Sequence, residues 1–388
     1  MGYTAAVLAH GSDWLAGEGR AVGDAGALLG GLSAALIEAG VPLDRATLHA
    51  PTLHPSYRWV MRVWHPGGDI RTMHRPHGIE VTPTFHGNTV EHVVATGRPF
   101  RARLDGSGSP RFPILDELRE AGLTDYLIVP LPAGSGRTGA ASWSTARPEG
   151  FTASEIAALI ALAGPLSLVF ELKAVEGMLA DVLAAYVGRD PAQRILAGGV
   201  RRGDTRRMRA AMLLTDMRGF GALSDTVEPE RVVTVLNRMF DAIVPAIEAE
   251  GGEVLKYIGD GVLAVFDANG GDARARHSAF RSARTALAAV ARTHDLPAIG
   301  IALHVGEVAY GNIGAGDRLD FTAIGRDVNV LARVAALCKV YGRSLLATGA
   351  FAEGLPLPLE LVDTVVLRGF AETHTLLGLR EETICDAI

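Results

Sequence analysis

The feature that most narrows the fold of this chain is an aspartate between two glycines, Gly259-Asp260-Gly261, flanked by short apolar runs at 253–258 and 262–266. Two such runs joined by so short a turn read as a tight β-hairpin that exposes the carboxylate at its tip. Upstream, the apolar run 209–214 leads into Thr215-Asp216-Met217-Arg218-Gly219-Phe220, which places a second carboxylate where a buried strand meets a turn. Between them Pro229 opens a helix. Val232, Val235, Leu236, Met239, Phe240, Ile243, Val244 and Ile247 follow helical spacing, Gly251-Gly252 stops the run, and Pro245 predicts a kink. Strand, helix and hairpin in this order begin a ferredoxin-like fold, in which the end of the first strand and the hairpin tip are neighbours. Asp216 and Asp260 are therefore expected to meet. Two carboxylates held close repel unless cations lie between them, which points to divalent metal, Mg2+ with phosphate oxygens completing its shell. Taken singly, an Asp in a Gly-Asp-Gly turn more often serves turn geometry.

Composition sets the wider frame. The 388 residues leave room for about two domains. A net charge of -6 argues against broad nucleic-acid binding, which needs clustered Lys and Arg. Two cysteines, Cys338 and Cys385, make no disulfide framework and fit a reducing cytoplasm, with Cys338 expected as a buried thiol. The N-terminus lacks the cationic start of a signal peptide, and Met1-Gly2 lacks the downstream Ser/Thr of a myristoylation site. The longest uncharged apolar stretch, 156–170, contains Gly164 and Pro165 and is too short to span a bilayer.

The N-terminal part mixes helix and strand. Residues 27–37 read as a helix, 59–64 and 70–74 as a hairpin around Pro66-Gly67-Gly68-Asp69, and 126–131 and 139–144 as strands. Thr152 and Glu155 form a capping-box signature at the start of a long exit helix. This order resembles a GAF sensory domain. His49, His54, His65, His74, His77, His86 and His92 invite a metal or haem reading, but no cysteine or acid joins them at a ligand-like interval, so they read as surface or strand histidines. Trp59 and Trp64 read as aromatic core. Arg201, Arg202, Arg206, Arg207 and Arg209 read as the solvated face of a linker.

Three separated blocks, 211–220, 251–266 (GGEVLKYIGDGVLAVF) and 320–333 (DFTAIGRDVNVLAR), carry a stronger resemblance. In order and spacing they resemble the signature blocks of class III adenylyl and guanylyl cyclases, over about 209–379. The resemblance implies that Asp216 and Asp260 bind two metal ions, Mg2+ or Mn2+, with the Met217 carbonyl assisting. Gly221 stands where the family often has Thr, which removes no ligand. It assigns Lys256 to adenine N1 and Thr322 to N6. Chemistry agrees, because adenine N1 accepts a hydrogen bond where guanine N1 donates one. Outside this block, a strand lysine is usually a solvated surface residue.

Asn329 and Arg333, four apart on a helix expected from about Arg326, share one face. The resemblance gives Asn329 the ribose and the reacting oxygen, and Arg333 the charge developing at the α-phosphate. Arg368 matches a family lysine that grips the β- and γ-phosphates, work that a forked guanidinium can do. No side chain reads as a general base, and His304, on an apolar strand, reads as structural. In the family the metal ligands come from one subunit and the other residues from its partner, which implies a homodimer with two equivalent sites.

The expected fold class is thus α+β: an N-terminal GAF-like α/β sandwich followed by a ferredoxin-like (βαββαβ) class III cyclase domain. The expected organisation is an arm at 1–20, a sensory domain at 21–172, a helical linker at 173–208 and a catalytic domain at 209–388. The expected function is ATP-dependent adenylate cyclase, responding to a small-molecule or protein signal at the N-terminal domain, cytoplasmic and without a membrane span. A guanylate cyclase and a catalytically silent receptor are the alternatives. A diguanylate cyclase would need a Gly-Gly-Asp/Glu-Glu-Phe tip, which is absent.

Overall fold

The computed structural model describes residues 2–78, 87–105, 112–134, 136–316 and 318–380; His86 and Cys385 lie outside these. The chain divides into two compact units, Met1–Ala185 and Tyr186–Ile388.

The first unit contains α1 (Tyr3–Ala16), α2 (Glu18–Ala21), α3 (Ala25–Glu38), β1 (Arg45–Pro51), β2 (Tyr57–Trp64), β3 (Arg71–Pro76), α4 (Thr89–Thr96), β4 (Phe100–Arg103), α5 (Pro113–Glu120), β5 (Asp125–Leu131), β6 (Gly139–Thr145), α6 (Ala153–Ala161) and most of α7 (Ala163–Val187). Among the described residues its six strands form one antiparallel sheet in the order β3-β2-β1-β6-β5-β4. One face is packed by α1, α3, α6 and α7, and the other by α4 and α5. Residues 3–16 and 18–20, within the stretch expected as an arm, are instead helical, and Val7 and Leu15 are buried in the core. Gly31 lets α1 and α3 cross closely, since a Cβ there would lie 2.2 Å from the Trp14 ring. The capping box is realised: Thr152 Oγ1 accepts from Glu155 N at 3.3 Å, and Glu155 accepts from Thr152 N at 2.6 Å. Trp64 is core, as expected. Among the described residues no single helix is long and apolar enough to cross a membrane, although α6 and α7 pass together on length and composition, bent by 41°.

The second unit continues with α8 (Arg189–Leu196), β7 (Thr205–Met217), α9 (Phe220–Thr226), α10 (Pro229–Ala249), β8 (Glu253–Ile258), β9 (Gly261–Asp267), α11 (Asp272–Arg292), β10 (Ile299–Ala315), β11 (Arg318–Ile324), α12 (Arg326–Val340), β12 (Leu345–Thr348), α13 (Gly349–Ala352), β13 (Leu359–Val366) and β14 (Thr373–Leu379). The sheet order is β13-β14-β12-β10-β7-β9-β8, with β11 paired to β10. Its β10-β7-β9-β8 portion is the ferredoxin-like arrangement expected from the sequence. Strand periodicity divides β7 between two cores. Ala211 and Leu213 face α10 and α11, whereas Met208, Ala210 and Met212 face α12.

Helix α10 continues through Pro245, with Ile243 and Ile247 on either side buried in the same core. One local expectation is corrected. Arg206, Arg207 and Arg209 are strand residues of β7, not linker, and ion pairs steady two of them: Arg206 to Asp267 at 3.4 Å and Arg209 to Asp272 at 2.8 Å.

Candidate active site

The site is built where the central strand β7 ends. Thr215, the buried residue before Asp216, accepts a hydrogen bond from Val262 N at 2.9 Å and so ties the β8–β9 hairpin to β7. The contact is close enough to require glycine at 261, where a Cβ would stand 2.3 Å from the Thr215 carbonyl oxygen. Gly259 takes a left-handed φ of 59°, which glycine adopts at no steric cost. The turn thereby delivers Asp260 to the strand end, and its Oδ2 accepts from Met217 N at 2.9 Å. The Met217 side chain is buried in the core, leaving its backbone to the site.

Asp216 sits beside this pair. Burial, and then the charge of Asp260, raise its pKa above the ordinary aspartate value, while Arg218 and Lys339 oppose the rise. Arg218 is held in place by donating to the Arg343 carbonyl at 2.7 Å. An aspartate whose ionisation is opposed by burial and by a second carboxylate suits a hard divalent cation, and Mg2+ is commonly held by one or two carboxylates with substrate phosphates supplying the rest. Among the described residues no group of three or more His, Cys, Asp or Glu is arranged to hold a metal alone. The donor set therefore fits a cation bound together with substrate.

A second cluster forms along α12 and β11. Lys256 on β8 is ion-paired with Asp320 on β11, and Thr322, on the same side of β11 as Asp320, is buried. The helix α12 begins at Arg326, as expected, and buries Val330, Leu331, Val334, Ala335 and Cys338. Burial pushes the Cys338 thiol up to about 12. Asn329 and Arg333 are exposed, turned away from the sheet. The helix start is fixed by Asp327, whose Oδ2 accepts from Glu307 N at 2.7 Å and whose Oδ1 lies 3.5 Å from His304 Nε2. His304 is buried, and its Nδ1 bonds to Thr348 Oγ1 at 2.7 Å, which accords with a structural role. Arg368 is exposed in the β13–β14 turn. That turn is tied to the same helix start through an Arg326–Glu372 ion pair and Arg326 over the Phe370 ring at 5.2 Å.

The start of α12 does not meet the aspartates within one copy. On β10, Gly300 pairs with Asp216 and Gly306 with Ala210, so the helix start lies roughly 20 Å along the strands from the aspartates. Only the far end of α12 approaches them, through Lys339. Measured back from Lys339, Arg333 is about 9 Å and Asn329 about 15 Å along the helix axis. Asp216, Met217 and Asp260 are brought together; Asn329, Arg333 and Arg368 are not brought to them.

Residues 205–341 match the family model described as the adenylate and guanylate cyclase catalytic domain. This segment belongs to that family. The adenylate cyclase of Anabaena cylindrica is 34% identical over 178 residues, 42% of this chain and 34% of that protein. Adenylate cyclase 1 of Rhizobium meliloti is 33% identical over 152 residues, 37% of this chain and 23% of its own length. The match thus spans about a third or less of these curated relatives. Among solved structures, a bacterial light-regulated adenylyl cyclase aligns with a TM-score of 0.48 and 23% identity, covering 56% of this chain and 64% of that chain.

Within the cyclase domain, Asp320 and Asp327 escape the sequence reading. Asp327 carries a signal that sequence could have supplied, an acid in the first turn of a helix. Asp320 carries none, because its partner is distant in sequence. In the N-terminal unit His54, His74 and His77 are neighbours around Tyr57, yet among the described residues no group of three ligating side chains is arranged to hold a metal. His49 bonds to Thr47 at 2.9 Å, and burial, with Arg45 and Arg75 nearby, pushes it down to about 3. His54 stacks on Tyr57 at 3.8 Å, His77 bonds to the His54 carbonyl at 2.8 Å, and His92 packs against Phe100.

Proposed function

We propose that the C-terminal unit is an adenylate cyclase that converts ATP to 3',5'-cyclic AMP and pyrophosphate at two equivalent sites of a homodimer. The observation that carries this reading is the convergence of Asp216 and Asp260 at the end of β7, where Met217 N donates to Asp260. Class III cyclases use divalent metal ions, and here Asp216, Asp260 and the Met217 carbonyl would hold Mg2+ or Mn2+, two per site. Such cations lower the pKa of the ribose 3'-hydroxyl and neutralise the triphosphate.

The chain's own residues do the positioning. Lys256 donates to adenine N1, and Thr322 accepts from the N6 amino group. Asn329 orients the ribose so that the 3'-oxygen faces the α-phosphorus, and Arg333 balances charge there as the new P–O bond forms and the bond to the β-phosphate breaks. Arg368 holds the departing pyrophosphate. The 3'-hydroxyl proton departs as the new bond forms, and no side chain is assigned as its base. The separation of the clusters supports a composite site, in which one copy supplies the aspartates and its partner the remaining residues. The names of the Anabaena and Rhizobium relatives support adenylate over guanylate. The antiparallel sheet with helices on both faces supports a GAF-like regulatory role for the N-terminal unit.

The test is turnover of ATP and of GTP with Mg2+ or Mn2+, with the product identified. Cyclic AMP as the main product is the expected result. Preferential cyclic GMP formation would make it a guanylate cyclase, and no turnover of either nucleotide would favour a silent receptor.

A further inference from the structure

One face of the first unit's sheet is only partly apolar. Side chains alternate along a strand, and on the side of α4 and α5 the hydrophobic packing reaches Ala102, Tyr126, Ile128 and Ala140 on β4, β5 and β6. On β1 and the rest of β6 the same face turns polar: Thr47 stands opposite Ser142, and Arg45 opposite Ser144. Thr47, Ser142 and Ser144 are nonetheless buried. Thr47 Oγ1 lies 2.9 Å from His49 Nε2 and 2.6 Å from Ser142 Oγ, and Tyr126, opposite Ser144 on β5, has its hydroxyl 2.9 Å from Thr89 Oγ1 of α4. Among the described residues Ser144 Oγ has no hydrogen-bond partner. Beside this row Arg45, His49 and Arg75 are half-buried. Burial, then the charges of both arginines, push His49 down to about 3, and burial draws Arg45 below the usual arginine value. Among the described residues neither arginine has an ion-pair or hydrogen-bond partner. The acid that acts on Arg45 is Glu117 of α5, which is exposed and makes no ion pair with it.

A charge drawn out of water without a partner is costly, and guanidiniums in such places are normally paired. A purely structural role does not account for this face, because apolar residues would fill it without that cost. Two guanidiniums on one side of a sheet, with an orphan hydroxyl opposite one of them, suit a partner that carries negative charge and accepts hydrogen bonds. We propose that this face binds a small oxyanion, the carboxylate or phosphate group of a soluble metabolite, between Arg45 and Arg75, with the Ser144 hydroxyl donating to it. Each forked guanidinium matches two oxygens of such a group. His49, being neutral, adds no third positive charge, so an anion of one or two charges balances the site. The half-buried arginines give the anion a way in from solvent. The proposal gives a chemical class to the signal in the regulatory reading above, and the binding itself does not depend on cyclase activity.

Isothermal titration calorimetry of the full chain, with succinate and with inorganic phosphate at constant ionic strength, tests this. At least one of the two should bind with a millimolar or lower Kd, and the tighter one tells a carboxylate ligand from a phosphate ligand. Succinamide, the uncharged diamide, should not bind. Arg45→Gln and Arg75→Gln should each weaken the anion at least about tenfold, and Ser144→Ala about fivefold. Arg368→Gln, in the other unit, should leave it unchanged. Absence of binding by both anions overturns the proposal, and so does succinamide binding as well as succinate. Loss of binding in Arg368→Gln in place of Arg45→Gln also overturns it, by moving the anion to the nucleotide site. Melting without anion is the second measurement. Arg45→Gln should melt no lower than the parent chain, because it removes a desolvated charge that has no partner; a lower Tm would show that the guanidinium is already paired and would overturn the site. Turnover of ATP is measured on the same samples. Anion binding that leaves turnover unchanged counts against the regulatory reading alone, and anion binding to a chain without turnover counts against the cyclase reading alone.

Discussion

Lys256 on β8 is ion-paired with Asp320 on β11, two strands that are not neighbours in the sheet. The pair fixes the end of a flexible side chain where the proposed site reads the base. Its side chains are 28% and 63% exposed, so the attraction is worth at most about 1 kcal/mol. Asp320→Asn should therefore raise the KM for ATP by up to about fivefold with little change in kcat. Steady-state kinetics check this; a fall in kcat at unchanged KM would place Asp320 in the chemistry instead.

Removing the lysine itself is the sharper probe of base choice. Lys256→Glu with Thr322→Ala should erode an ATP preference that a buried polar contact can raise to several powers of ten. The ratio of kcat/KM for ATP and GTP, at one metal concentration, is the readout. An unchanged ratio would mean that Lys256 does not read the base.

Asp216 yields a prediction that opposes stability to activity. Its pKa is raised, first by burial and then by Asp260. The folded state therefore binds this proton more tightly than the unfolded state does. By linkage, ionised Asp216 costs stability above its folded-state pKa, and the cost disappears as pH falls through that value. Asp216→Asn should abolish turnover yet raise Tm at neutral pH without metal, and the gain should shrink on acidification. A lower Tm at neutral pH would contradict the stated cause. Added Mg2+ or Mn2+ with nucleotide should narrow the difference by stabilising the parent chain only.

Much of this site was legible because it depends on local pattern. The hairpin tip and strand end that carry Asp260 and Asp216 are written in turn chemistry and alternation, and the Thr152/Glu155 capping box forms as its spacing implies. What was illegible depends on partners far along the chain. Arg206 and Arg209 look like a solvated linker until Asp267 and Asp272 are brought beside them. Residues 1–20 look like an arm because Gly11 and Gly17 weaken the helical signal. Gly11 is nevertheless buried against Leu162, with room for little more than a hydrogen.

The separation of the two clusters predicts rescue between inactive chains. On the proposed reading, Asp216→Ala removes the metal side of a site and Arg333→Ala the transition-state side. Mixed equally and allowed to exchange, they should form heterodimers with one intact site each, restoring about a quarter of the parent activity. The assay is cyclic AMP formation against mixing ratio. Verified heterodimers without activity would exclude a composite site.

Asp327 and Gly306 make the last prediction, since the position of Asn329 depends on how α12 starts. Asp327 accepts from Glu307 N at 2.7 Å. His304 holds its carboxyl below the usual carboxylate range, against the effect of burial, and the Glu307 N–H adds to this. A depressed pKa contributes stability that is present above the unfolded-state value and lost as pH falls through the folded-state value. Asp327→Ala should therefore cost about 1–2 kcal/mol at neutral pH, less in acid, and lower kcat through displacement of Asn329. Gly306→Ala should act on the same contact from the other side, because a Cβ there would stand 2.1 Å from Asp327 Oδ2 and must push the carboxylate away. If both substitutions work through this one contact, the double variant should lose little more stability than the worse single variant. Denaturant melts of the four chains decide it, and losses that simply add would show that Gly306 and Asp327 act independently.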